Sequence, residues 1–468
     1  MNRGLWISRG GCLLLAAAIW AWPVPDGLTP AAWHLFAIFA ATIASVVVGA
    51  LPILAASILG ASIAVLAGVI PAADAWAGFA NGTILLIVTA FLVARAVVTC
   101  GLGERIGHFV VSRFGRSTLG LGYSLFLVDA VIAPAFPSNT ARSGVLYPLA
   151  ASLAETAGAK RGDPSRARQG AFLMFAGIAS LSLSSALWLT AMAANPLGTE
   201  IARAQGLHIG FGTWLIASSV PTLAAMALLP FVLYKLMKPE VTATPEAPAA
   251  ARAALKALGP LTRPEWIVTV TFVVMVALWG SASVLDVDAT AVAFLGLAVF
   301  MVTGVLTSAD IAKEGDVLAT YIWFALLFTL STQLNNLGFM GFVGQRLAAA
   351  MLGVRPLLAA LVLVIAYVLL HYLFVSQTAH LLALFAVFLD VGAKLGVPLF
   401  PLAFLLLFAT NFFSAITPQG SSANLLFAAS GYLSQRDLYR LGAVTTAVNL
   451  AVYLVIGIPW LVLVGRWV

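Results

Sequence analysis

The stretch PAFPSNTARSG, residues 134–144, lies between two long apolar segments. Its centre holds four small polar or turn-forming residues in a row, 137–140, and Arg142 follows two positions later. Proline and a Ser-Asn-Thr run interrupt a helix, and interrupted backbone at membrane depth survives only inside protein or beside a water-filled cavity. A guanidinium within a bilayer is also costly and marks a functional position. The simpler alternative is a polar turn outside the membrane, with Arg142 reaching toward the lipid headgroups.

A second copy of this pattern supports the membrane interpretation. Residues 370–383 read LHYLFVSQTAHLLA, and both copies have the order small hydroxyl, amide, hydroxyl, alanine, base. The matched side chains are, in chain order, Ser138, Asn139, Thr140 and Arg142 in the first copy and Ser376, Gln377, Thr378 and His380 in the second. Polar interruptions at corresponding places in two halves of a chain indicate the binding site of a transporter.

The composition is that of a polytopic α-helical membrane protein. Of the 468 residues, 62% are hydrophobic and only 9% are charged, which excludes an ordinary soluble domain. The apolar runs are continuous and do not alternate, which excludes an outer-membrane barrel. We therefore attribute the net charge of +7 to membrane topology and expect no nucleic-acid partner. Cys12 and Cys100 form no disulfide framework or metal cluster, and we expect no metal and no cofactor.

The apolar segments predict about eleven transmembrane helices, at about 20 residues for each crossing, and two re-entrant hairpins. The hairpins span residues 118–155 and 356–395, each with a polar motif at its tip. With the N-terminus in the cytoplasm, 17 of the 24 Lys and Arg residues fall in cytoplasmic loops and five in outer loops, as the positive-inside rule requires. In this topology the two hairpins enter from opposite sides. Residues 1–23 resemble a signal peptide, but Arg3 and Arg9 favour an uncleaved first helix.

The chain therefore divides into two inverted repeats. Residues 1–30 hold the first transmembrane helix, 31–237 the first repeat and 264–468 the second. Residues 238–263 are rich in Ala, Pro and charge, and we read them as a cytoplasmic linker with a short surface helix over 248–258.

Each repeat contains one more broken segment after its hairpin. The first reads LTAMAANPL at 189–197 and the second AITPQGSSA at 415–423. Asn195 with Pro196, and Thr417 with Pro418, disfavour a continuous helix. A proline kink without ligand contact explains either segment alone. Their similar register in both repeats predicts discontinuous helices that converge on one site.

The chemistry of these segments suits a small anion. Half-helix N-termini, amides and hydroxyls form an anion cradle, and the guanidinium of Arg142 offers a planar fork for a carboxylate. A di- or tricarboxylate fits this set of donors. Alternatively, Asp129 neutralises Arg142 or Arg95 and the ion pair is structural.

Four motifs resemble the divalent anion/sodium symporter family, and most closely its citrate/succinate-type and plastid 2-oxoglutarate/malate exchanger branch. They are SNTARSG, LFTLSTQLNNLGF, HYLFVSQTAH and TPQGSSANLLFAASGYLS, and the resemblance covers residues 31–457. It implies an elevator transporter, usually a homodimer, with a scaffold of the first four and the seventh to ninth transmembrane helices. The hairpins and the other four helices form the moving part.

The resemblance also implies roles for the tip residues. The family's two Ser-Asn-Thr motifs touch substrate carboxylates and, in sodium-coupled members, also ligate sodium. The first motif is complete here, whereas Gln377 replaces Asn in the second. This Gln, with Arg142 and His380 beside the motifs, argues against sodium. We expect a cation-independent exchanger in which these bases supply fixed positive charge; a sodium-coupled dicarboxylate symporter is the alternative.

Two other classes of protein compete with the transporter. Ser138, His371, His380 and Asp129 could form the nucleophile and base of a membrane hydrolase, but no Gly-x-Ser-x-Gly elbow occurs and catalysis does not need a duplicated motif. A channel would not need hairpins entering from both sides. We therefore expect a carboxylate carrier, not an enzyme, in the inner membrane of a bacterium, with a cytoplasmic N-terminus.

Overall fold

The computed structural model describes residues 3–351 and 353–466, and their regular structure is helical apart from one antiparallel bridge between Ser117 and Ala243. Within these residues, ten helices are long and apolar enough to cross a membrane. They are Gly4–Ala21, Pro30–Val47, Gly82–Thr99, Thr118–Ala135, Gly170–Leu187, Phe211–Met237, Arg263–Gly280, Gly315–Asn336, Pro356–Leu373 and Gln435–Val464. Arg and Lys are scarce in these spans, as apolar surroundings require.

The first half of the chain contains eleven α-helices in its described residues. They are α1 Arg3–Ala21, α2 Pro30–Val47, α3 Ile53–Leu66, α4 Ala72–Ala75, α5 Gly82–Thr99, α6 Leu102–Phe114, α7 Thr118–Ile132, α8 Asn139–Thr156, α9 Gly170–Leu187, α10 Ala194–Arg203 and α11 Phe211–Met237. Short 3-10 turns occupy Ala77–Ala80, Ala133–Ala135, Pro164–Ala167 and Leu189–Ala191.

The second half continues with thirteen more in the described part. They are α12 Ala247–Leu258, α13 Arg263–Gly280, α14 Ala282–Leu285, α15 Ala289–Val302, α16 Ser308–Ala312, α17 Gly315–Asn336, α18 Phe339–Ala350, α19 Pro356–Leu370, α20 Gln377–Lys394, α21 Leu399–Phe412, α22 Ser422–Ala428, α23 Gln435–Val452 and α24 Ile458–Val464. The turns His371–Leu373, Phe413–Ala415 and Pro418–Gly420 are 3-10, and Tyr453–Gly457 is a π-helix.

The same order of elements occurs twice. A long helix (α5 or α17) turns at a glycine with positive φ, Gly101 at 78° or Gly338 at 85°, a conformation that favours glycine because it has no Cβ. A short helix (α6 or α18) follows, then two helices joined at a polar tip (α7 and α8, or α19 and α20). A helix that breaks completes the set (α9 to α10, or α21 to α22).

Helices α6 and α18 were not among the predicted segments. Each is short, and α6 carries Glu104, Arg105 and Arg113 beside its apolar residues. Such helices are amphipathic and lack the long apolar run from which membrane helices are recognised. The apolar pattern therefore predicted loops in both places.

The linker forms the predicted helix, at Ala247–Leu258, and this helix packs against α6. Arg105 of α6 donates hydrogen bonds at the end of the linker. Its Nη1 donates to the Gly259 carbonyl at 2.8 Å, and its Nε donates to Glu265 Oε1 in the first turn of α13 at 2.6 Å. The Thr118 backbone N–H also donates to the Thr242 carbonyl, at 3.0 Å. The linker is therefore a packed part of the molecule and not a free tether.

Burial separates central from peripheral helices. In the 18-residue apolar stretch of α9, 94% of the residues are buried within the protein. The corresponding share is 0% in α1 and 22% in α13. Helix α1 contacts α2, where the Trp33 indole donates to the Ile19 carbonyl at 2.8 Å. Helix α9, which leads into the first broken segment, is thus held on all sides by protein, as broken backbone in a membrane requires.

Candidate functional site

The two polar tips have the same local geometry. Ser138 (φ −147°, ψ 124°) and Ser376 (φ −140°, ψ 124°) are extended and cap the N-termini of α8 and α20. Each hydroxyl accepts a hydrogen bond at 3.3 Å from the backbone N–H three residues later. Serine favours this position because its oxygen satisfies an N–H that the helix cannot. The other first-turn N–H groups remain directed beyond the end of each helix.

The tips touch each other. Asn139 Nδ2 donates to Gln377 Oε1 at 3.3 Å, although 238 residues separate the two side chains. Both side chains are buried, with 6% of their surface exposed. The N-termini of α8 and α20, with their partial positive charge, therefore point into one region.

The two broken helices reach the same region. Helix α9 ends at Leu187, the backbone is extended at Trp188 and Met192, and α10 begins at Ala194. Helix α21 ends at Phe412, and the extended residues Thr417 and Ser421 precede α22. The helix breaks that Asn195-Pro196 and Thr417-Pro418 predict are therefore present in the structure.

An asparagine secures each break in the same way. Asn195 Nδ2 donates to the carbonyls of Ser185 (2.8 Å) and Trp188 (3.2 Å), ten and seven residues earlier. Asn424 Nδ2 donates to the carbonyls ten and seven residues before it, at 2.7 and 3.2 Å. These carbonyls have lost their helical partners at the break, and a buried carbonyl needs a donor. Asn424 was not among the residues predicted from the sequence, although its spacing from the two carbonyls matches that of Asn195.

These elements enclose a cavity of about 710 Å³. Six of the twelve predicted site residues line it: Ser138, Asn139, Thr140, Ser376, Gln377 and Thr378. Other lining residues come from the broken segments, which contribute Met192, Ala193, Ser421 and Ser422, and from α17, which contributes Asp316, Thr320, Trp323 and Phe324. Thr140 Oγ1 lies 2.6 Å from Ser422 Oγ and joins the first tip to the second break. The hydroxyls of Ser421 and Ser422 lie in the quoted TPQGSSA motif but were not chosen from it.

Arg142 does not line this cavity, which corrects the prediction that it meets the substrate directly. Its side chain is fully buried, and its Nε lies 3.1 Å from Asp129 Oδ1. Ser184 Oγ donates to the other oxygen of Asp129, at 2.5 Å. An unpaired guanidinium in the protein interior would be far more costly than this pair. The alternative pairing with Asp129 is therefore the observed one, while Arg95 pairs with Glu314 at 3.1 Å.

The two terminal nitrogens of the Arg142 guanidinium donate to oxygens around the first tip. Its Nη1 donates to the Ala191 carbonyl at 2.9 Å. Its Nη2 donates to Asn139 Oδ1 at 2.6 Å and to the Leu181 carbonyl at 3.4 Å. Arg142 therefore fixes the orientation of Asn139 from behind the cavity wall.

His380 does not line the cavity either. It is fully buried, and its ring lies 4.3 Å from that of Tyr367 and 4.7 Å from that of Phe413, between ring centroids. Tyr367 precedes His380 by thirteen residues, as Asp129 precedes Arg142. The second tip thus has an aromatic cluster where the first has an ion pair, and the prediction that His380 faces the substrate is also corrected.

The other four predicted site residues lie behind the wall. Asn195 Oδ1 accepts from Asn411 Nδ2 at 2.8 Å, which joins the two breaks to each other. Pro196 and Thr417 are buried, and Pro418 is half-buried. They shape the backbone that forms the cavity, because each belongs to a break, but they contribute no atom to its lining.

The cavity wall carries no basic side chain among the described residues, and Asp316 is its one ionisable group there. The groups there that could attract an anion are the backbone N–H groups at the starts of α8, α10 and α20, together with the amides and hydroxyls of the tips. Neutral donors of this kind bind a carboxylate without a fixed counter-charge.

The amino-acid sequence matches one protein family over almost its whole length. A model of the sodium:sulfate symporter transmembrane region matches residues 4–467. The chain belongs to this family. The resemblance seen in the four motifs is confirmed, and the hydrolase alternative is wrong because the family and the relatives of the chain are transporters, not enzymes. The protein is an integral membrane transporter.

Similar proteins come from bacteria and chloroplasts. The chain is 39% identical over 451 residues to YflS of Bacillus subtilis, which is named for malate transport, covering 96% of this chain and 94% of YflS. It is 38% identical to dicarboxylate transporter 2 of spinach chloroplasts, covering 97% and 81% of the two chains. It is 31% identical to the citrate/succinate antiporter of Escherichia coli, covering 96% of each.

Solved structures share the fold at low sequence identity. The YdaH transporter of Alcanivorax borkumensis superposes with a TM-score of 0.59 at 17% identity, covering 100% of this chain and 98% of its own. MtrF of Neisseria gonorrhoeae gives 0.55 at 14%, covering 98% and 94%. At this identity the likeness concerns the fold alone.

Proposed function

We propose that the protein exchanges di- and tricarboxylates of the succinate, malate, 2-oxoglutarate or citrate class across the membrane, without a coupled cation. The names of the relatives, which mention malate, dicarboxylates and citrate/succinate antiport, support this substrate class. The cavity supports it independently, because two tips with the same donors face one space. A short dianion with a carboxylate at each end matches two such donor sets.

Each tip would hold one carboxylate. In the first tip, Ser138, Asn139 and Thr140 line the cavity beside the start of α8. In the second tip, Ser376, Gln377 and Thr378 do so beside the start of α20. Backbone N–H groups at a helix start and side-chain hydroxyls make charge-assisted hydrogen bonds to a carboxylate. The contact between Asn139 and Gln377 keeps the two donor sets close, which favours a short substrate.

One observation supports the cation-independent mechanism: side-chain N–H groups already donate to several carbonyl and amide oxygens around the two tips. At the first tip the Arg142 fork binds Asn139 Oδ1 and the carbonyls of Leu181 and Ala191. At the second tip Gln377 Nε2 donates to the carbonyls of Thr410 (2.8 Å) and Asn411 (3.2 Å). A sodium ion is held by oxygen ligands, and these oxygens have donors already.

Unpaired hydrogen-bond donors explain why the carrier would exchange its substrates. The sequence predicts fixed positive charge at Arg142 and His380, but Asp129 neutralises Arg142. Obligatory exchange therefore depends on donors and not on a fixed charge. In the empty state the uncapped helix-start N–H groups and the Thr378 hydroxyl have no acceptor among the described residues, and moving them through the barrier is unfavourable. A bound dianion satisfies them in both directions.

The proposed architecture has eleven transmembrane helices and an elevator motion. Two of the ten long apolar helices, Thr118–Ala135 and Pro356–Leu373, are hairpin arms, and the shorter apolar helices Ile53–Leu66, Ala289–Val302 and Leu399–Ala415 complete the count. The two inverted repeats are 31–237 and 264–468, joined by the linker 238–263, after the first helix in 1–30. The scaffold comprises α1, α2, α3, α5, α13, α15 and α17. We further propose a homodimer in a bacterial inner membrane with the N-terminus in the cytoplasm.

The test uses proteoliposomes that are empty or preloaded with unlabelled succinate, malate, 2-oxoglutarate or citrate. Uptake of labelled succinate is measured in sodium buffer and in choline buffer. The proposal expects uptake into preloaded vesicles that is equal in both buffers, and none into empty vesicles. Concentrative uptake into empty vesicles, driven by an inward sodium gradient, would establish the sodium-coupled symporter instead.

A further inference from the structure

The cavity contains a carboxylate that the proposed transport mechanism does not use. Asp316, in the first turn of α17, is exposed and lines the same cavity as the two tips. Resting on the proposed function, we propose that Asp316 determines substrate charge: it disfavours a third carboxylate, so that the carrier prefers dicarboxylates to tricarboxylates of the same size.

Asp316 lies on the face of α17 that forms one wall. Asp316, Thr320 and Trp323 are spaced by four and three residues, which places them on one side of a helix, and all three line the cavity. At 1.5 Å rise per residue, the seven residues from Asp316 to Trp323 correspond to roughly 10 Å along the helix. The carboxylate and the aromatic side chain of Trp323 are therefore at opposite ends of this part of the wall, and Asp316 is the more exposed of the two.

The charge of Asp316 is not neutralised within the described residues. Its neighbours in sequence have cationic partners: Glu314 lies 3.1 Å from Arg95, and Asp310 lies 3.6 Å from Lys313. No ion pair or side-chain hydrogen bond of Asp316 is found in residues 3–351 and 353–466. Its field therefore acts on whatever occupies the cavity.

A third carboxylate on the substrate would have no favourable place. The first two occupy the tips, and no Lys, Arg or His side chain is found on the described wall of the cavity. A carboxylate that projects toward α17 would approach a group of the same charge. For an assumed separation of roughly 10 Å from Asp316, and a permittivity between that of water and that of a protein surface, one added unit charge changes affinity by about two- to tenfold.

The experiment compares two competitors that differ by one carboxylate. In tricarballylate the central carbon carries a carboxylate, whereas in 3-methylglutarate the same carbon carries a methyl group. Each is titrated against labelled succinate in counterflow with the full-length protein in liposomes. The measured quantity is the ratio of the two inhibition constants, which cancels changes in the amount of active protein.

Wild-type protein should favour 3-methylglutarate, and Asp316→Asn should reduce that preference by about two- to tenfold. Asp316→Glu, which keeps the charge, should retain the preference, as should Asp74→Asn, because Asp74 lies outside the cavity wall. Raising the salt concentration should reduce the effect of Asp316→Asn, since salt screens exposed charges.

Three results separate this inference from the proposed function. An unchanged ratio in Asp316→Asn, with intact succinate counterflow, overturns the role of Asp316 and leaves carboxylate exchange standing. A loss of preference in Asp316→Glu equal to that in Asp316→Asn also overturns it, because shape and not charge would then decide. Absence of succinate counterflow in the wild-type protein would contradict the proposed function itself.

Discussion

At the scale of single residues, Arg142 shows how a charge can serve a transport site without facing the substrate. It pairs with Asp129 in full burial and holds Asn139 in place through its Nη2. Its contribution is a fixed geometry, since Asp129 removes the net charge. The same guanidinium also takes up carbonyl oxygens that would otherwise need another donor or a cation.

The buried pair can be tested by double substitution. Arg142→Met should destabilise the protein by about 3–5 kcal/mol, because it leaves Asp129 charged and unpaired in the interior. Asp129→Leu should be similarly harmful, whereas the double variant should recover much of the loss. Unfolding in mild detergent measures this order.

The exposed pair Arg161–Glu155 provides the control, since its side chains are 54% and 57% exposed. Arg161→Gln should leave the stability nearly unchanged, because an exposed ion pair in water contributes little. Equal losses in Arg161→Gln and Arg142→Met would contradict a special cost of breaking the buried pair.

Thr378 offers a direct test of the cradle. Its hydroxyl lines the cavity and has no hydrogen-bond partner among the described residues, so it is free to donate to a substrate. Thr378→Val keeps the shape and removes the donor. The affinity for succinate should fall roughly tenfold or more, the usual effect of losing a hydrogen bond to a charged group. Binding is measured by titration calorimetry in detergent.

Thr190→Val is the matched control for that substitution. The Thr190 hydroxyl donates to the Pro134 carbonyl at 2.9 Å and is buried behind the tip. This variant should lower stability more than affinity. If Thr378→Val binds succinate as tightly as the wild-type protein does, Thr378 is not part of the cradle.

At the scale of elements, the two breaks are built alike although their sequences differ. Asn195 and Asn424 each bridge carbonyls seven and ten residues earlier. These bonds hold the extended residues that lead into α10 and α22, and so position Ala193 and Ser422 at the cavity wall. An amide is suited to this role because its NH₂ group supplies two donors.

Removal of either amide should therefore have the same kind of effect. We expect Asn195→Ala and Asn424→Ala each to destabilise the protein by about 1–3 kcal/mol, since each leaves buried carbonyls without donors, and to lower the exchange rate. Asn336→Ala, at the exposed end of α17, is the control and should change neither. A large loss at Asn195 with none at Asn424, measured by unfolding and counterflow, would show that the breaks are not equivalent.

At the scale of the whole molecule, one contact joins a proposed scaffold helix to a proposed moving helix. Ser331 Oγ of α17 donates to the Leu382 carbonyl of α20 at 2.7 Å, in a buried position. An elevator motion must break this contact, because α20 would slide past α17. A contact within the scaffold, such as Thr290 Oγ1 to the Gly82 carbonyl at 2.9 Å, would persist.

Cross-linking distinguishes the two contacts. In a background with Cys12 and Cys100 replaced by alanine, Ser331→Cys with Leu382→Cys should lose exchange upon treatment with a short thiol cross-linker and still bind succinate. Thr290→Cys with Gly82→Cys should keep exchanging when cross-linked. Full exchange by the first pair, with cross-linking verified by mass spectrometry, would contradict the elevator.

The sequence alone determined the class of protein, the two polar tips and the two breaks. Each of these depends on local composition: long apolar runs, Ser and Asn at helix starts, and proline where a helix cannot continue. The family followed from the same motifs. Helices α6 and α18 were not predicted, because a short amphipathic helix has no long apolar run. Its apolar face is recognised only when the surface that it covers is known.

Only the tertiary structure decided which side chains meet. Arg142 lies four residues after Ser138, so its side chain and the tip are neighbours along α8, yet the guanidinium faces Asp129 on the other arm of the hairpin. Asp316 and Ser422 enter the cavity from segments far along the chain. The direction of a helix face depends on how helices rotate and pack against one another, and that packing minimises buried unpaired charge over the whole molecule. No local pattern carries that information.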